Sequence, residues 1–317
     1  MYCLLYQFVH TKMQVEAWIN EHVHNAFSAY LGSKKHVAIV TCTNSGIGYE
    51  TAKVLGHIRF MKILACCNLN TGLNMFQVIK LDLSSFMLVQ QFVAKFCKMY
   101  MQLNVLACNA GVAFGHCDMT YDRLEVQFSI NFVGHYMLVA QLLDTLKATQ
   151  GVHITVALSV ATCMVHGLDY SWTTNVWCFS CFVNYSTGKL ALLMFANKLA
   201  WQLCNCIITV NVFHPGLVAM GLYHNVLVSM LLGIHAFRQW LWLGQVDGAV
   251  TAVYLALAPE LASKTSGYYA CEQPAVMHTN APNMAAQDQL CTFTNVLVKT
   301  NTHVPNVLDS INIKEKL

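Results

Sequence analysis

Short apolar segments alternate with stretches of helical periodicity through most of this chain. The segments typical of buried strands lie at residues 36–40, 62–66, 78–81, 104–108, 153–158 and 207–213. The helical stretches lie at 49–55, 86–96, 124–146 and 185–202. Strands that alternate with helices form parallel sheets, because a helix must return the chain to the end at which the next strand starts. The pattern predicts an α/β fold with a single doubly wound parallel sheet and helices on both faces.

The same pattern divides the chain into three parts. Residues 1–35 show no clear period and end in the polar break Gly32-Ser33-Lys34-Lys35, so we interpret them as an N-terminal extension. The alternating pattern occupies residues 36–280, which we interpret as one domain. Residues 281–317 are interpreted as a C-terminal extension. The sequence contains no internal repeat and no low-complexity tract.

Composition narrows the classes of protein that fit. Of the 317 residues 56% are hydrophobic, and 10% are charged against about 25% in an average domain, which excludes a disordered chain. The mean hydropathy is +0.45. The formal net charge is +3, and the only arginines are Arg59, Arg123 and Arg238. A nucleic-acid partner is not expected, because such partners require a dense basic surface.

The 14 cysteines do not form a recognisable disulfide or metal pattern. Many lie inside apolar segments, as in Ala65-Cys66-Cys67, which is typical of buried thiols in a reducing compartment. The pair Cys178 and Cys181 has no second pair and no histidine at ligand spacing. We therefore expect no metal site.

Two apolar stretches raise the question of a membrane. Residues 1–9 lack a preceding basic region and are ended by His10 and Lys12, so no cleaved signal peptide is expected. Residues 226–243 are rich in leucine but contain His235 and Arg238, which disfavours a membrane span. Two alternatives remain for this stretch: a peripheral membrane contact, which Trp240 and Trp242 would suit, or a core helix or dimer contact.

A glycine-containing turn follows the first predicted strand. It reads Thr41-Cys42-Thr43-Asn44-Ser45-Gly46-Ile47-Gly48 and leads into a helix. Glycines at this point let the backbone approach a pyrophosphate at the helix N-terminus. Ordinary turns also contain two glycines, so the turn alone leaves both interpretations open.

The residues best suited to catalysis are a tyrosine and a lysine in one predicted helix. Tyr185 and Lys189 are four residues apart and therefore share a helix face. A phenol can give and take a proton, and a nearby ammonium favours its phenolate form, so this pair suits acid-base chemistry. Ser159 ends the preceding strand 26 residues before Tyr185, and Asn131 lies in the helix before that. Taken singly, each could instead be a cap, a packed aromatic or a solvated helix residue.

Together these motifs resemble the short-chain dehydrogenase/reductase family, over about residues 36–275. Thr41, Gly46 and Gly48 match its Thr-Gly-x-x-x-Gly-x-Gly turn, with Cys42 in place of the first glycine. The element Asn109-Ala110-Gly111 matches a second family motif. The resemblance implies a Rossmann-type sheet and an NAD or NADP site made by Thr41, Asn44, Ser45, Gly46, Ile47, Gly48, Asp82, Asn109, Ala110, Gly111, Tyr185, Lys189, Pro215 and Gly216.

The resemblance also implies an activity. Tyr185 would act as acid and base, Lys189 would tune it, and Ser159 would orient the substrate. Asn131 would hold a water of the proton relay. Segments such as Gly46 to Lys53 and Ala258 to Leu261 are similar to the retinol-dehydrogenase-like branch. That branch implies a lipophilic alcohol or carbonyl substrate of retinoid, polyprenoid or steroid type. It also implies a cytoplasmic or endoplasmic-reticulum-associated location, and pairing of two copies through the helices bearing Asn131 and Tyr185.

Three departures from the family pattern support an alternative. Cys42 adds a side chain where glycine permits an unusual backbone angle, only about a dozen residues join the second and third strands, and no arginine ends the second strand. The last feature leaves the choice between NAD and NADP open. The alternative is a catalytically weak member that acts as a cofactor-binding or protein-interaction scaffold.

Overall fold

The computed structural model describes residues 36–57, 60–66, 77–113, 118–170, 173, 180–216, 218, 244–279 and 281–301. The expectations for residues 1–35, for the connection at 67–76, for the Cys178 position and for the stretch 226–243 lie outside the described residues.

A single eight-stranded sheet forms the centre of the molecule. Its strands are β1 (Val37–Thr41), β2 (Met61–Cys66), β3 (Gln77–Lys80), β4 (Val105–Cys108), β5 (Val152–Ala157), β6 (Ile208–His214), β7 (Tyr268–Ala270) and β8 (Gln273–Pro274). Their order is β3-β2-β1-β4-β5-β6-β7-β8, and every pair is parallel except β7 with β8. The six predicted strands are confirmed, each within one residue at either end.

Helices cover both faces of this sheet, as predicted. Helices α1 (Gly46–His57) and α5 (Gln245–Leu257) pack together on one face. The other face carries α2 (Phe86–Met99), α3 (Val126–Ala148), α4 (Cys181–Gln202) and α6 (Met284–Asn301). Along β1, Ile39 contributes to the core on the α3 and α4 side, whereas Ala38 and Val40 contribute to the core beneath α5. A strand buried on both faces is apolar throughout, which explains the uninterrupted apolar segments of the sequence.

Helix α3 contains a break in its hydrogen-bonding pattern. Residues Ser129–Val133 form a π-helical turn between two α-helical parts. Among the described helices, α3 is the one long and apolar enough to cross a membrane, and 78% of its most apolar window is buried inside the protein. That burial is what a central core helix shows.

The core continues into helix α6. Leu290 and Cys291 are fully buried and belong to the same core cluster as α3 and α4. The Asn295 Oδ1 atom accepts a hydrogen bond of 2.7 Å from the Tyr136 hydroxyl of α3. The segment interpreted from the sequence as a C-terminal extension therefore supplies a helix that covers part of α4.

Candidate active site

The carboxyl ends of β1, β4, β5 and β6 border a cavity of about 450 Å³. β1 and β4 are neighbours in the sheet although β2 and β3 lie between them in sequence, and ligands of doubly wound sheets bind at such a point. Ten of the predicted site residues line this cavity: Ser45, Gly46, Ile47, Asn109, Gly111, Ser159, Tyr185, Lys189, Pro215 and Gly216.

A second cavity of about 120 Å³ lies beside the first, on the side of β1 and β3. It is lined by the other predicted residues Thr41, Asn44, Asp82 and Ala110. Cys42 and Gly111 border both cavities. Asn131 and Gly48 border neither, so any part they play is through neighbouring residues.

The turn after β1 depends on close backbone packing. Gly46 has φ +71° and Cys42 has φ +58°, both in the left-handed region. A Cβ atom at Gly48 would collide with the carbonyl oxygen of Cys42 and lie 2.6 Å from Nδ2 of Asn109. Glycine at 48 is therefore required for the contact between this turn and the motif after β4.

The hydroxyl of Thr41 ties the ends of β1 and β4 together. Its Oγ1 accepts hydrogen bonds from the backbone amides of Asn109 (2.9 Å) and Ala110 (2.8 Å). It also lies 3.3 Å from Nε2 of His135. Burial, with the Lys189 charge, lowers the pKa of His135 to about 3, so this imidazole is neutral at pH 7. Thr41 thus holds the shape of the turn, and sequence reasoning missed its partner His135 because 94 residues separate them.

The side chain of Asn131 fixes the backbone of Val112. Its Oδ1 accepts from the Val112 amide at 2.8 Å, and its Nδ2 donates to the Val112 carbonyl at 2.9 Å. A Cβ atom at Gly111 would lie 3.1 Å from Nζ of Lys189 and 3.2 Å from Oδ1 of Asn131. Asn131 sits in the π-helical turn of α3, and such turns are frequent at functional sites.

Helix α4 presents Tyr185 and Lys189 to the large cavity. Tyr185 is buried in a cluster with Ala113 and Ala161. The Lys189 ammonium donates to the carbonyl of Ala157 at 2.9 Å. Burial lowers the pKa of Lys189 to about 8, while the thiols of Cys108 and Cys42 act in the opposite direction. Lys189 is therefore mostly cationic at pH 7.

Ser159 lies two residues after the end of β5 and lines the same cavity. Its Oγ accepts a hydrogen bond of 3.2 Å from the Ala161 amide and so caps the short 3₁₀ helix Val160–Met164. No described residue accepts its hydroxyl proton. The O–H group is thus available as a donor toward the cavity.

Asp82 lies in the turn after β3 and borders the small cavity. Its Oδ1 accepts from the amide (2.9 Å) and the hydroxyl (2.6 Å) of Ser84. These bonds hold the carboxylate in place at the wall of the cavity. Its contact with an adenine stays a prediction.

Two more residues at the site were missed from the sequence. Gln245, the first residue of α5, accepts a hydrogen bond of 3.1 Å from the Gly46 amide. His214, the last residue of β6, lines the large cavity. His214 could have been found, because it is the strand-end residue directly before Pro215-Gly216, whereas Gln245 is 199 residues from its partner.

The residues present fit a dinucleotide. Gly46 and Gly111 leave backbone along the cleft without side chains, and the two cavities lie side by side along the carboxyl edge of the sheet. Cys42 carries a side chain at the border of both cavities. Within the described residues, no group of three His, Cys, Asp or Glu side chains is placed to hold a metal ion.

Comparison with known proteins identifies relatives over most of the chain. The chain is 31% identical over 291 residues to the short-chain dehydrogenase TIC 32 A of Brassica napus, covering 85% of this chain and 91% of that protein. It is 32% identical over 282 residues to human polyprenol dehydrogenase, covering 82% and 86%. Human retinol dehydrogenase 13 is 31% identical over 253 residues, covering 73% and 75%.

Solved structures show the same fold. A protein of Mycobacterium paratuberculosis superposes with a TM-score of 0.67 at 21% identity, covering 83% of this chain and 93% of that one. The short chain dehydrogenase family model matches residues 36–227. Together with the Rossmann-type sheet, these matches show that the chain belongs to the short-chain dehydrogenase family and is an oxidoreductase that uses a nicotinamide dinucleotide.

Proposed function

We propose that this protein interconverts a lipophilic alcohol and its carbonyl, with Tyr185, Lys189, Ser159 and Asn131 as its catalytic set. The observation that carries the proposal is that Ser159, Tyr185 and Lys189 line one cavity with the glycine turn, while Asn131 holds the wall beside them. The bound dinucleotide supplies or accepts the hydride.

The chain's own residues supply the proton and the geometry. Tyr185 donates a proton to the carbonyl oxygen during reduction and takes it back during oxidation. The buried Lys189 ammonium, fixed by the Ala157 carbonyl, favours the phenolate form. The Ser159 hydroxyl donates to the same oxygen and orients the substrate. Asn131 keeps Val112 and Gly111 in place against Lys189.

The walls of the cavity favour a lipophilic substrate. Val112, Ala113, Val126, Ile130 and Leu158 contribute apolar side chains to the large cavity. Apolar walls with a few convergent polar groups favour apolar ligands that carry one polar end. Relatives named polyprenol dehydrogenase and retinol dehydrogenase 13 support the same substrate class.

A panel of retinal, a polyprenal and steroid ketones, each with NADH and NADPH, tests the proposal. Oxidation of the dinucleotide is followed by its absorbance. We expect turnover in at least one pair, and in Tyr185→Phe a loss of kcat of about 10²-fold or more with dinucleotide binding unchanged. Tyr121→Phe is the matched control, since Tyr121 is fully exposed.

The results separate the enzyme from the scaffold alternative. Turnover that persists in Tyr185→Phe would overturn the catalytic assignment. Folded protein that binds a dinucleotide but turns over no member of the panel would favour the scaffold, which the side chain of Cys42 between the two cavities supports.

A further inference from the structure

His214 is a buried polar residue of the large cavity that the proposed mechanism does not use. It is 9% exposed and lines the cavity together with Ser159 and Tyr185. Its Nδ1 is buried, and no residue in the described ranges forms a hydrogen bond with that atom. Buried polar groups are nearly always paired, so an unpaired one at a cavity wall indicates a missing ligand.

The strand geometry places the ring on the catalytic side of the sheet. Val210 and Val212 of β6 pack into the core that contains α4, whereas Phe213 packs beneath α5. Because side chains alternate along a strand, His214 points to the face that carries Tyr185 and Lys189. Leu158 donates its amide to the Phe213 carbonyl at 2.8 Å, so His214 lies beside the end of β5 and Ser159.

The position in the sheet indicates which part of a dinucleotide His214 would meet. The small cavity with Asp82 lies on the β3 and β1 side, and His214 ends β6, three strands from β1. Neighbouring strands are about 4.8 Å apart, so roughly 14 Å separates the two ends of the cleft. A dinucleotide with its adenine over the small cavity would carry its nicotinamide toward β5 and β6.

The chemistry of the ring narrows the group further. Burial lowers the pKa of His214 to about 4, so the imidazole is neutral at pH 7. One nitrogen of a neutral imidazole can donate to an amide oxygen or accept from an amide N–H, whereas the uncharged ring offers no cation to a phosphate.

We propose that His214 hydrogen-bonds the carboxamide of the bound nicotinamide and so positions that ring beside Tyr185. The inference rests on the proposed function only in requiring that a nicotinamide dinucleotide binds. It makes His214 a cofactor-binding residue in addition to the set implied by the family resemblance.

Titration with a ligand and its truncated form tests this contact. Isothermal titration measures Kd for each reduced dinucleotide and for the matching molecule that lacks the nicotinamide. NADH is paired with ADP-ribose, and NADPH is paired with ADP-ribose that carries the 2′-phosphate. We expect His214→Phe to weaken binding of the reduced dinucleotide 5- to 30-fold and to leave the Kd of the truncated form unchanged. His214→Gln should retain most of the affinity, because its amide also offers a donor and an acceptor. His153→Gln is the control, since His153 is also buried but pairs with Thr209 at 2.8 Å.

The outcomes distinguish this inference from the proposed function. Equal weakening of both ligands in His214→Phe, or no weakening of either, would overturn the contact. If the wild-type protein binds neither the reduced dinucleotide nor ADP-ribose, the protein has no dinucleotide site, and both the proposed function and the His214 contact are wrong. If His214→Phe does not fold, the ¹⁵N shifts of the wild-type His214 ring decide: they should move on addition of the reduced dinucleotide and stay in place with ADP-ribose.

Discussion

At the scale of single residues, Cys42 is the least favourable part of the dinucleotide turn. It has φ +58°, where a side chain costs about 1 kcal/mol relative to glycine. We predict that Cys42→Gly raises the free energy of unfolding by about 1 kcal/mol and tightens dinucleotide binding several-fold, because the side chain leaves the border of both cavities. Urea unfolding and calorimetry measure the two effects. Cys42→Ala keeps the Cβ atom and is the control; the same gain in stability there would refute the backbone argument.

At Gly48, in contrast to Cys42, we expect the addition of a side chain to destabilise the protein. Its Cβ atom would collide with backbone of Cys42 and crowd Asn109, so Gly48→Ala should lower the free energy of unfolding by about 1–3 kcal/mol. Gly167→Ala is the matched control, because nothing lies within 4 Å of a Cβ atom there. Thermal unfolding compares the two variants, and a neutral Gly48→Ala would show that the turn can open without loss.

The residues of the site differed in how far the sequence could predict them. Tyr185, Lys189 and Ser159 follow from spacing, because a helix face and a strand end fix their directions before any packing is known. The contact of Thr41 with His135 does not, because it forms only when α3 packs on the sheet. The sequence does not predict the role of Gln245 either, because its contact with Gly46 depends on α5 packing against α1.

At the scale of elements, the apolar periodicity predicted where the helices lie. It did not predict the π-helical turn, the burial of a whole helix or the two shortest strands. The π-helical turn of α3 changes hydrogen bonding over Ser129–Val133 without changing the apolar pattern. Helix α4 is buried along almost its whole length, so it lacks the polar face that marks a surface helix. Strands β7 and β8 have three and two residues, too few for an alternation to be detected.

Helix α6 is attached to α4 by an ion pair whose lysine is buried. Nζ of Lys198 lies 2.6 Å from Oδ1 of Asp288, with side-chain exposures of 8% and 58%. Asp288→Ala would leave the ammonium buried without its carboxylate, and we predict a loss of about 1–2 kcal/mol in unfolding free energy after allowing for the exposed aspartate. The control is Glu50→Ala, which removes the carboxylate partner of a lysine that is 51% exposed and should cost about 0.5 kcal/mol or less, because water can solvate the Lys53 ammonium. Equal losses in the free energy of unfolding, measured with urea, would contradict a special role for the buried Lys198.

At the scale of the whole molecule, three neutral histidines are built into the folded core. Burial lowers the pKa of His135 to about 3 and the pKa values of His153 and His214 to about 4. Unfolded histidine titrates near 6.5, so between pH 6.5 and about 4 the unfolded chain binds more protons than the folded one. The stability due to these groups is therefore present above pH 6.5 and is lost as the pH falls. Burial raises the pKa of Glu125, which acts in the opposite direction over its own range.

We accordingly predict that the free energy of unfolding falls by about 3–6 kcal/mol between pH 7.5 and pH 5.0, or on the order of 1–2 kcal/mol for each histidine. Urea unfolding at the two pH values measures the difference. His153→Gln should lower stability at pH 7.5 and reduce the pH-dependent loss by about a third, because an amide keeps a bond to Thr209 and does not titrate in this range. If wild type and His153→Gln lose the same amount of unfolding free energy, His153 does not contribute and the acid sensitivity arises from other groups.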